Sequence, residues 1–138
     1  MLKTKIILIL VLLYPLSALA KEYVVVANKT MKSLSKSEIK TIFLKKRTFI
    51  NDKTLVPLNL QAQDTLRVAF EKELLKMSFG SLKTYWSKQH YLGKRPPLTL
   101  KSQDSVKAFI KKVDGSIGYL EKQYVDNDMK ILYEWEER

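Results

Sequence analysis

Four helix start signals, separated by strand-like segments, most constrain what this chain can fold into. Ser35, Asp64, Ser78 and Ser102 each precede apolar residues at helical spacing, and their side chains can accept a hydrogen bond from the free amides at a helix start. β-branched or apolar segments at 22–27, 55–60, 116–120 and 130–133 favour strands. The order β-α-β-α-α-α-β-β, without repeats or a low-complexity linker, predicts a single α/β domain.

Two details of this pattern carry further expectations. Pro57 lies inside the second strand segment, and because proline cannot donate to a ladder, this strand is predicted to be short or at a sheet edge. Residues 134–138 are mostly charged and are predicted to form a frayed tail.

The first twenty residues have the features of a secretory signal peptide. Lys3 and Lys5 precede an unbroken apolar run at 6–14, and Ala18 and Ala20 form a small-x-small pattern before Lys21. This apolar stretch is shorter than the roughly 20 residues that a membrane span needs. We therefore predict a signal peptide at 1–20, a working domain at 21–138 and a periplasmic or secreted location. An uncleaved membrane anchor is the alternative interpretation.

The charge of the predicted mature chain favours anionic partners. It keeps 23 of the 25 basic residues against 14 acidic ones, a net charge of +9. Outside the cytoplasm, a positive field can concentrate phosphate, other oxyanions, lipid headgroups or acidic polymers, without selecting among them. The alternative is an ordinary solvated basic surface. Export excludes nucleic acid as the expected partner.

The residue types needed for most active sites are scarce. The chain has no cysteine and one histidine, His90, which argues against a metal site, a disulfide or a cysteine nucleophile. No nucleophile-elbow glycines lie near His90. The sequence therefore predicts neither an enzyme nor a bound cofactor.

Three segments, in this order, resemble one family. Residues 35–46 (SKSEIKTIFLKK), 85–97 (YWSKQHYLGKRPP) and 114–119 (DGSIGY) are similar to segments of the substrate-binding proteins of phosphate ABC transporters. The resemblance implies a type II periplasmic-binding-protein-like fold, in which two α/β lobes clamp a solute. It covers one lobe here, with a mixed sheet flanked by helices, and a transporter is an expected partner.

Most residues of these segments are expected to specify the fold rather than a ligand. Tyr85 and Trp86 are predicted to anchor a helix to the sheet. Gly115 and Gly118 are predicted to supply backbone freedom and close packing. The central apolar residues of the first segment, Ile42, Phe43 and Leu44, are predicted to be core.

The family's anion site is a helix start that carries an Arg-x-x-x-Ser-Gly-Thr-like segment, and residues 60–67 occupy the equivalent place. Here the Ser-Gly-Thr is missing and Asp64 stands at the expected cap, where its carboxylate would satisfy the amides and repel an anion. Arg67 is expected either to pair with Asp64 or to face a ligand. The candidate ligand residues are Asn28 and Thr30 after the first strand, and Thr65 and Arg67 at this helix.

Two functions follow as hypotheses. The first is an exported, non-catalytic, solute-binding-like protein that binds phosphate or another small oxyanion weakly. The second is an envelope protein that has lost its ligand and uses the same lobe to bind a protein or an anionic surface. Neither involves a membrane span after cleavage of the signal peptide.

Overall fold

The structure is a computed structural model that describes residues 20–137. The predicted signal peptide, apart from Ala20, lies outside the described residues. The strands are β1 (Lys21–Asn28), β2 (Phe49–Ile50), β3 (Lys53–Thr54), β4 (Val56–Asn59), β5 (Leu98–Thr99), β6 (Ser116–Glu121) and β7 (Met129–Glu137). The α-helices are α1 (Lys36–Phe43), α2 (Thr65–Phe70), α3 (Phe79–Tyr91) and α4 (Gln103–Lys112). A π-helical turn (Glu71–Leu75) extends α2, and a 3-10 turn (Lys122–Tyr124) follows β6.

A five-stranded mixed sheet, in the order β5-β4-β6-β1-β7, forms the centre of the fold. β4 runs parallel to β5 and β6, whereas β1 runs antiparallel to both β6 and β7. Strands β2 and β3 form a separate small hairpin. This architecture confirms the predicted α/β class with a mixed sheet flanked by helices.

All four predicted helix caps are present. Ser35 Oγ accepts from the Glu38 amide at 3.1 Å while the Glu38 carboxylate accepts from the Ser35 amide at 3.3 Å, which completes the capping box. Ser78 and Ser102 accept from the amides three residues later, each at 3.1 Å. Asp64 caps α2, as described below.

Helices cover both faces of the sheet. Phe43 of α1 and Phe70 of α2 pack around Tyr119 of β6, with ring centroids 4.6 Å apart for the two phenylalanines and 4.2 Å apart for Phe70 and Tyr119. The next residue back along β6, Gly118, faces α4 instead. A Cβ built at Gly118 would lie 2.8 Å from Val106 Cγ1, so this glycine provides the predicted close packing. Gly115 has a φ of +80° and no room for a Cβ, which agrees with its predicted role.

Three expectations about the sheet and core differ from the structure at least in part. The strand around Pro57, β4, is short, as one of the two predicted alternatives had it, but it lies between β5 and β6 rather than at an edge. The sheet tolerates Pro57 because the Val56 amide donates to Gly115 O on the β6 side. The nitrogen of Pro57 therefore faces the other side, where β5 begins only at the level of Leu58.

The last strand is the second correction. Residues 134–137 are not a frayed tail, because β7 continues to Glu137 and each of these four residues pairs with β1. Trp135 of β7 is buried, with its ring 5.4 Å from that of Tyr23. The third correction concerns Trp86, which is only half-buried and lies outside the core. Its neighbour Tyr85 does pack against the core and donates its hydroxyl to Leu44 O at 2.6 Å.

Candidate functional site

The predicted ligand residues lie at opposite ends of the sheet. Because β1 is antiparallel to β6, its last residue, Asn28, lies beyond the pair Ala27–Ile117, at the level where β4 begins. The loop to α2 leaves the other end of β4 at Leu60. At about 3.3 Å per residue, the length of β4 separates these ends by roughly 13 Å. The four candidates therefore form two separate sites rather than one.

Asn28 and Thr30 belong to a closed polar cluster, which we call the β1-loop cluster (Asn28, Thr30, Lys53 and Asp114). Asn28 is buried; its Nδ2 donates to Ile110 O at 2.8 Å, and its Oδ1 accepts from the Thr30 amide at 3.1 Å. Thr30 Oγ1 also lies against Asn28 Oδ1 and the Asp114 carboxylate, and Lys53 Nζ is 2.7 Å from Asp114 Oδ1.

The electrostatics of this cluster do not suit an incoming anion. The hydrogen bond from Lys53 holds the pKa of Asp114 below its usual value, so this carboxylate stays ionised. The one ammonium in the cluster is already paired with it. The contacts tie the loop after β1 to β3 and to the turn before β6, which is a structural role.

At the other end, Asp64 and Arg67 are both engaged, although not with each other. Asp64 Oδ1 accepts from the Leu66 amide at 2.8 Å, which is the predicted N-cap. Arg67 Nε donates to Glu71 Oε1 at 3.1 Å, and Arg67 Nη1 donates to Leu60 O at 2.8 Å. An i,i+4 pair along the helix therefore stands in place of the Asp64–Arg67 pair, which was one of the two alternatives expected for Arg67. Thr65 is exposed at the first helical position.

Arg67 and Glu71 are well covered by the protein, with side chains 18% and 16% exposed. An ion pair this covered keeps more of its Coulomb energy than a surface pair. The guanidinium has donors left for a ligand, but its charge is balanced within one helical turn. We call the segment 60–67 together with Glu71 the α2 end.

A buried tyrosine beneath the α2 end was missed from sequence. Tyr119 accepts from the Leu60 amide at 3.0 Å and donates to Asn59 Oδ1 at 3.0 Å. Burial raises the pKa of Tyr119, so its hydroxyl stays protonated. The sequence shows Tyr119 only within an apolar strand, and its two partners lie about sixty residues away. No local pattern signals this pairing.

An apolar opening beside the α2 end was also missed. It has a volume of about 460 Å³ and is lined in part by Val68, Phe79, Lys72 and Lys76. Val68 and Phe79 are exposed. In sequence Val68 and Phe79 stand eleven residues apart in different helices, so only the packing of α3 after the π-helical turn brings them together.

Within the described residues, no helix is both long and apolar enough to cross a membrane. His90 is exposed near the end of α3. Among residues 20–137 there is no group of three or more histidine, cysteine, aspartate or glutamate side chains arranged to hold a metal ion.

The fold resembles one half of known solute-binding proteins. No protein-family model matches the sequence, and no curated protein sequence matches it. Among solved structures, one similar chain is a protein from Clostridium perfringens assigned as a phosphate ABC transporter substrate-binding protein, determined with bound phosphate. The two chains superpose with a TM-score of 0.66 at 19% identity over 82% of this chain and 44% of that one.

A second similar structure is an ABC-type phosphate transport receptor from Vibrio cholerae. Its TM-score is 0.64 at 14% identity, over 82% of this chain and 46% of that chain. The chain thus spans less than half the length of either protein. The resemblance inferred from the three sequence segments is confirmed at the level of the fold, which is that of one lobe.

Proposed function

We propose that this protein is an exported, non-catalytic binding protein built on one lobe of the solute-binding fold, and that it binds phosphate or another small oxyanion only weakly. The observation that carries this proposal is that the charged groups of the α2 end already have partners: the Asp64 carboxylate accepts from the Leu66 amide, and Glu71 pairs with Arg67. The lobe fold supports the class of protein, because the similar chains are phosphate-binding and phosphate-transport proteins.

The expected affinity follows from the missing contacts. A single lobe leaves one side of the anion in water, and Asp64 adds repulsion where a helix start would otherwise favour negative charge. Losing about three charge-assisted hydrogen bonds, each worth roughly 1.5–3 kcal/mol, costs several kcal/mol. Since each 1.4 kcal/mol is tenfold, a micromolar site would fall to about millimolar or weaker.

Titration calorimetry with inorganic phosphate tests this affinity. The unmodified chain should bind at about millimolar Kd or weaker; Asp64→Ser, which keeps a capping oxygen but removes the charge, should strengthen binding, and Arg67→Ala should abolish it. The matched control is Asp104→Ser, the same change in the first turn of α4. Submicromolar binding by the unmodified chain contradicts the proposal, as does equal strengthening by the control.

Export rests on the N-terminal sequence alone and has its own test. Mass spectrometry of the envelope fraction should show a mature N-terminus at Lys21. A full-length protein retained in the inner membrane would contradict export and leave the calorimetric result unaffected.

A second candidate function is adhesion to a protein or an anionic surface of the envelope. A specific observation favours it: the α3 region joins a long basic segment to exposed apolar side chains, as described next.

A further inference from the structure

The segment from Leu74 to Gln103 contains no aspartate or glutamate. It carries six basic residues (Lys76, Lys83, Lys88, Lys94, Arg95 and Lys101). The acids of the chain therefore all lie elsewhere, and α3 with the linker after it forms a stretch of uniform charge. A stretch of this kind attracts anions over a distance of about one Debye length.

The end of α3 exposes two large apolar side chains inside this basic stretch. Tyr91 is 90% exposed and Leu92 is 64% exposed. Gly93, with a φ of +76°, then turns the chain away from the helix axis. Single exposed apolar residues are ordinary. Here two adjacent large side chains, one aromatic and one a leucine, are exposed within a basic segment, and these are residue types that interfacial membrane-binding segments combine.

Three cations lie at an opening that includes Gly93, the residue directly after this apolar pair. Lys45, Lys94 and Arg95 line one opening of about 310 Å³ together with Gly93. None of these three side chains forms an ion pair within residues 20–137. Lys45 is brought here by the loop after α1, which the hydrogen bond from Tyr85 to Leu44 O ties to α3.

A second opening, of about 460 Å³, lies beside Tyr91. It is lined by Trp86, Tyr91, Lys83 and His90, among others. Trp86 is only half-buried because it faces this opening instead of the core. Aromatic rings with a polar edge are favoured where apolar and wet environments meet.

We propose that this surface, the α3 tip (Tyr91, Leu92, Lys94, Arg95, with Lys45 and Trp86), docks onto an anionic phospholipid bilayer. Tyr91 and Leu92 enter the headgroup region, and Lys45, Lys94 and Arg95 contact lipid phosphates. The inference deepens the adhesion function and rests on it. The positive charge of this surface favours an anionic partner. The exposed apolar pair favours a bilayer over a dissolved anion, because only a bilayer offers an apolar region in which these two side chains can be buried.

Vesicle binding tests the proposal on the chain from Lys21 to Arg138, which contains the whole sheet and core. Phosphatidylglycerol-containing vesicles should sediment the protein at low salt, whereas pure phosphatidylcholine vesicles should not. The fluorescence of Trp86 should shift to shorter wavelength on binding, and a Trp135→Phe background, if it folds, isolates that signal. Sedimentation supplies the readout in either case.

The variants separate insertion from charge. Tyr91→Ser with Leu92→Ser should abolish the fluorescence shift and most sedimentation. Lys94→Gln with Arg95→Gln should weaken binding roughly 10- to 30-fold, because each cation near an anionic surface contributes about one factor of five. The matched control is Lys29→Gln with Lys112→Gln, which removes two charges from the β1 loop and from α4, and should weaken binding less than 3-fold. Circular dichroism confirms that each variant is folded.

Three results would overturn the proposal. They are failure of the unmodified chain to bind the anionic vesicles, equal weakening by the control pair, and full binding by the serine variant. Heparin, a soluble polyanion, tests the alternative. If the unmodified chain preferred heparin to vesicles, and the serine variant bound heparin as well as the unmodified chain does, the surface would be assigned to acidic polymers instead. Because phosphate is measured separately by calorimetry, failure here leaves the oxyanion result standing.

Discussion

Replacing Tyr119 with phenylalanine removes one oxygen atom from the middle of the fold and tests how the α2 end is held. The hydroxyl accepts from the Leu60 amide and donates to Asn59 Oδ1, both at 3.0 Å. Tyr119 and Leu60 are each 1% exposed, and Asn59 is 8% exposed. The ring itself should stay in place, because Phe70 stacks on it with a centroid distance of 4.2 Å.

The expected cost comes from the two groups left without partners. A buried polar group that loses its hydrogen bond costs about 1–3 kcal/mol. The Leu60 amide has almost no access to water, whereas the Asn59 side chain has a little and can recover part of its loss. We therefore expect Tyr119→Phe to lower the free energy of unfolding by about 2–4 kcal/mol.

Urea denaturation followed by circular dichroism measures this difference, with Tyr85→Phe as the matched control. Tyr85 also loses one hydroxyl, but its hydrogen bond to Leu44 O lies in a half-buried position that water can reach. The control should cost about 0.5–1.5 kcal/mol. A loss below about 0.5 kcal/mol for Tyr119→Phe, or an equal loss for both variants, would refute the argument that desolvation of the Leu60 amide dominates.

Local chemistry was sufficient to predict the four α-helices and the four longer strands, but not the two-residue strands β2, β3 and β5. The helix starts at Ser35, Asp64, Ser78 and Ser102 depend only on side chains within three residues of the cap, so the sequence contains their cause. The same holds for the buried run of β1. Errors occurred where a tertiary contact decides the outcome: Pro57 is tolerated inside the sheet because β5 starts late.

The two tryptophans show the same limit. Each stands in an aromatic and charged neighbourhood, and nothing local distinguishes them. Trp135 is buried because β7 pairs with β1 and brings it against Tyr23 and Phe70. Trp86 lies on the side of α3 that faces away from the core, as its neighbour Tyr85 takes the inward position.

The placement of the candidate ligand residues could not be predicted from the sequence. Asn28 and Arg67 each follow a strand, but the end of the sheet at which a strand finishes depends on its pairing, and β1 pairs antiparallel to β6. Likewise, Asp64 and Glu71 are both within reach of Arg67 in sequence, and only the use of Asp64 at the helix amides leaves Glu71 as the partner.

Four further substitutions test the packing and electrostatics in the same denaturation assay. Trp135→Ala should cost about 3–5 kcal/mol as a buried aromatic, whereas Trp86→Ala should cost less than about 1.5 kcal/mol; the reverse order would contradict the burial of β7. Gly118→Ala should cost about 1–3 kcal/mol, because the new methyl would lie 2.8 Å from Val106 Cγ1; a neutral result would mean that α4 moves freely away from β6. The last change concerns acid stability. Glu73 accepts hydrogen bonds from Lys36 at 2.9 Å and from the hydroxyl of Tyr133 in β7. The hydrogen bond from Lys36 holds the pKa of Glu73 below its ordinary value of 4.5. The ionised Glu73 therefore contributes its full share of folding stability above about pH 4.5. That share is lost as the pH falls through the lower pKa that Glu73 has in the folded state. Glu73→Gln should cost about 0.5–1.5 kcal/mol at pH 7 and flatten the fall in stability below pH 4.5, because the variant has no proton to take up at this position. If the stability of the variant fell as steeply below pH 4.5 as that of the unmodified chain, the pH dependence would be due to other carboxylates.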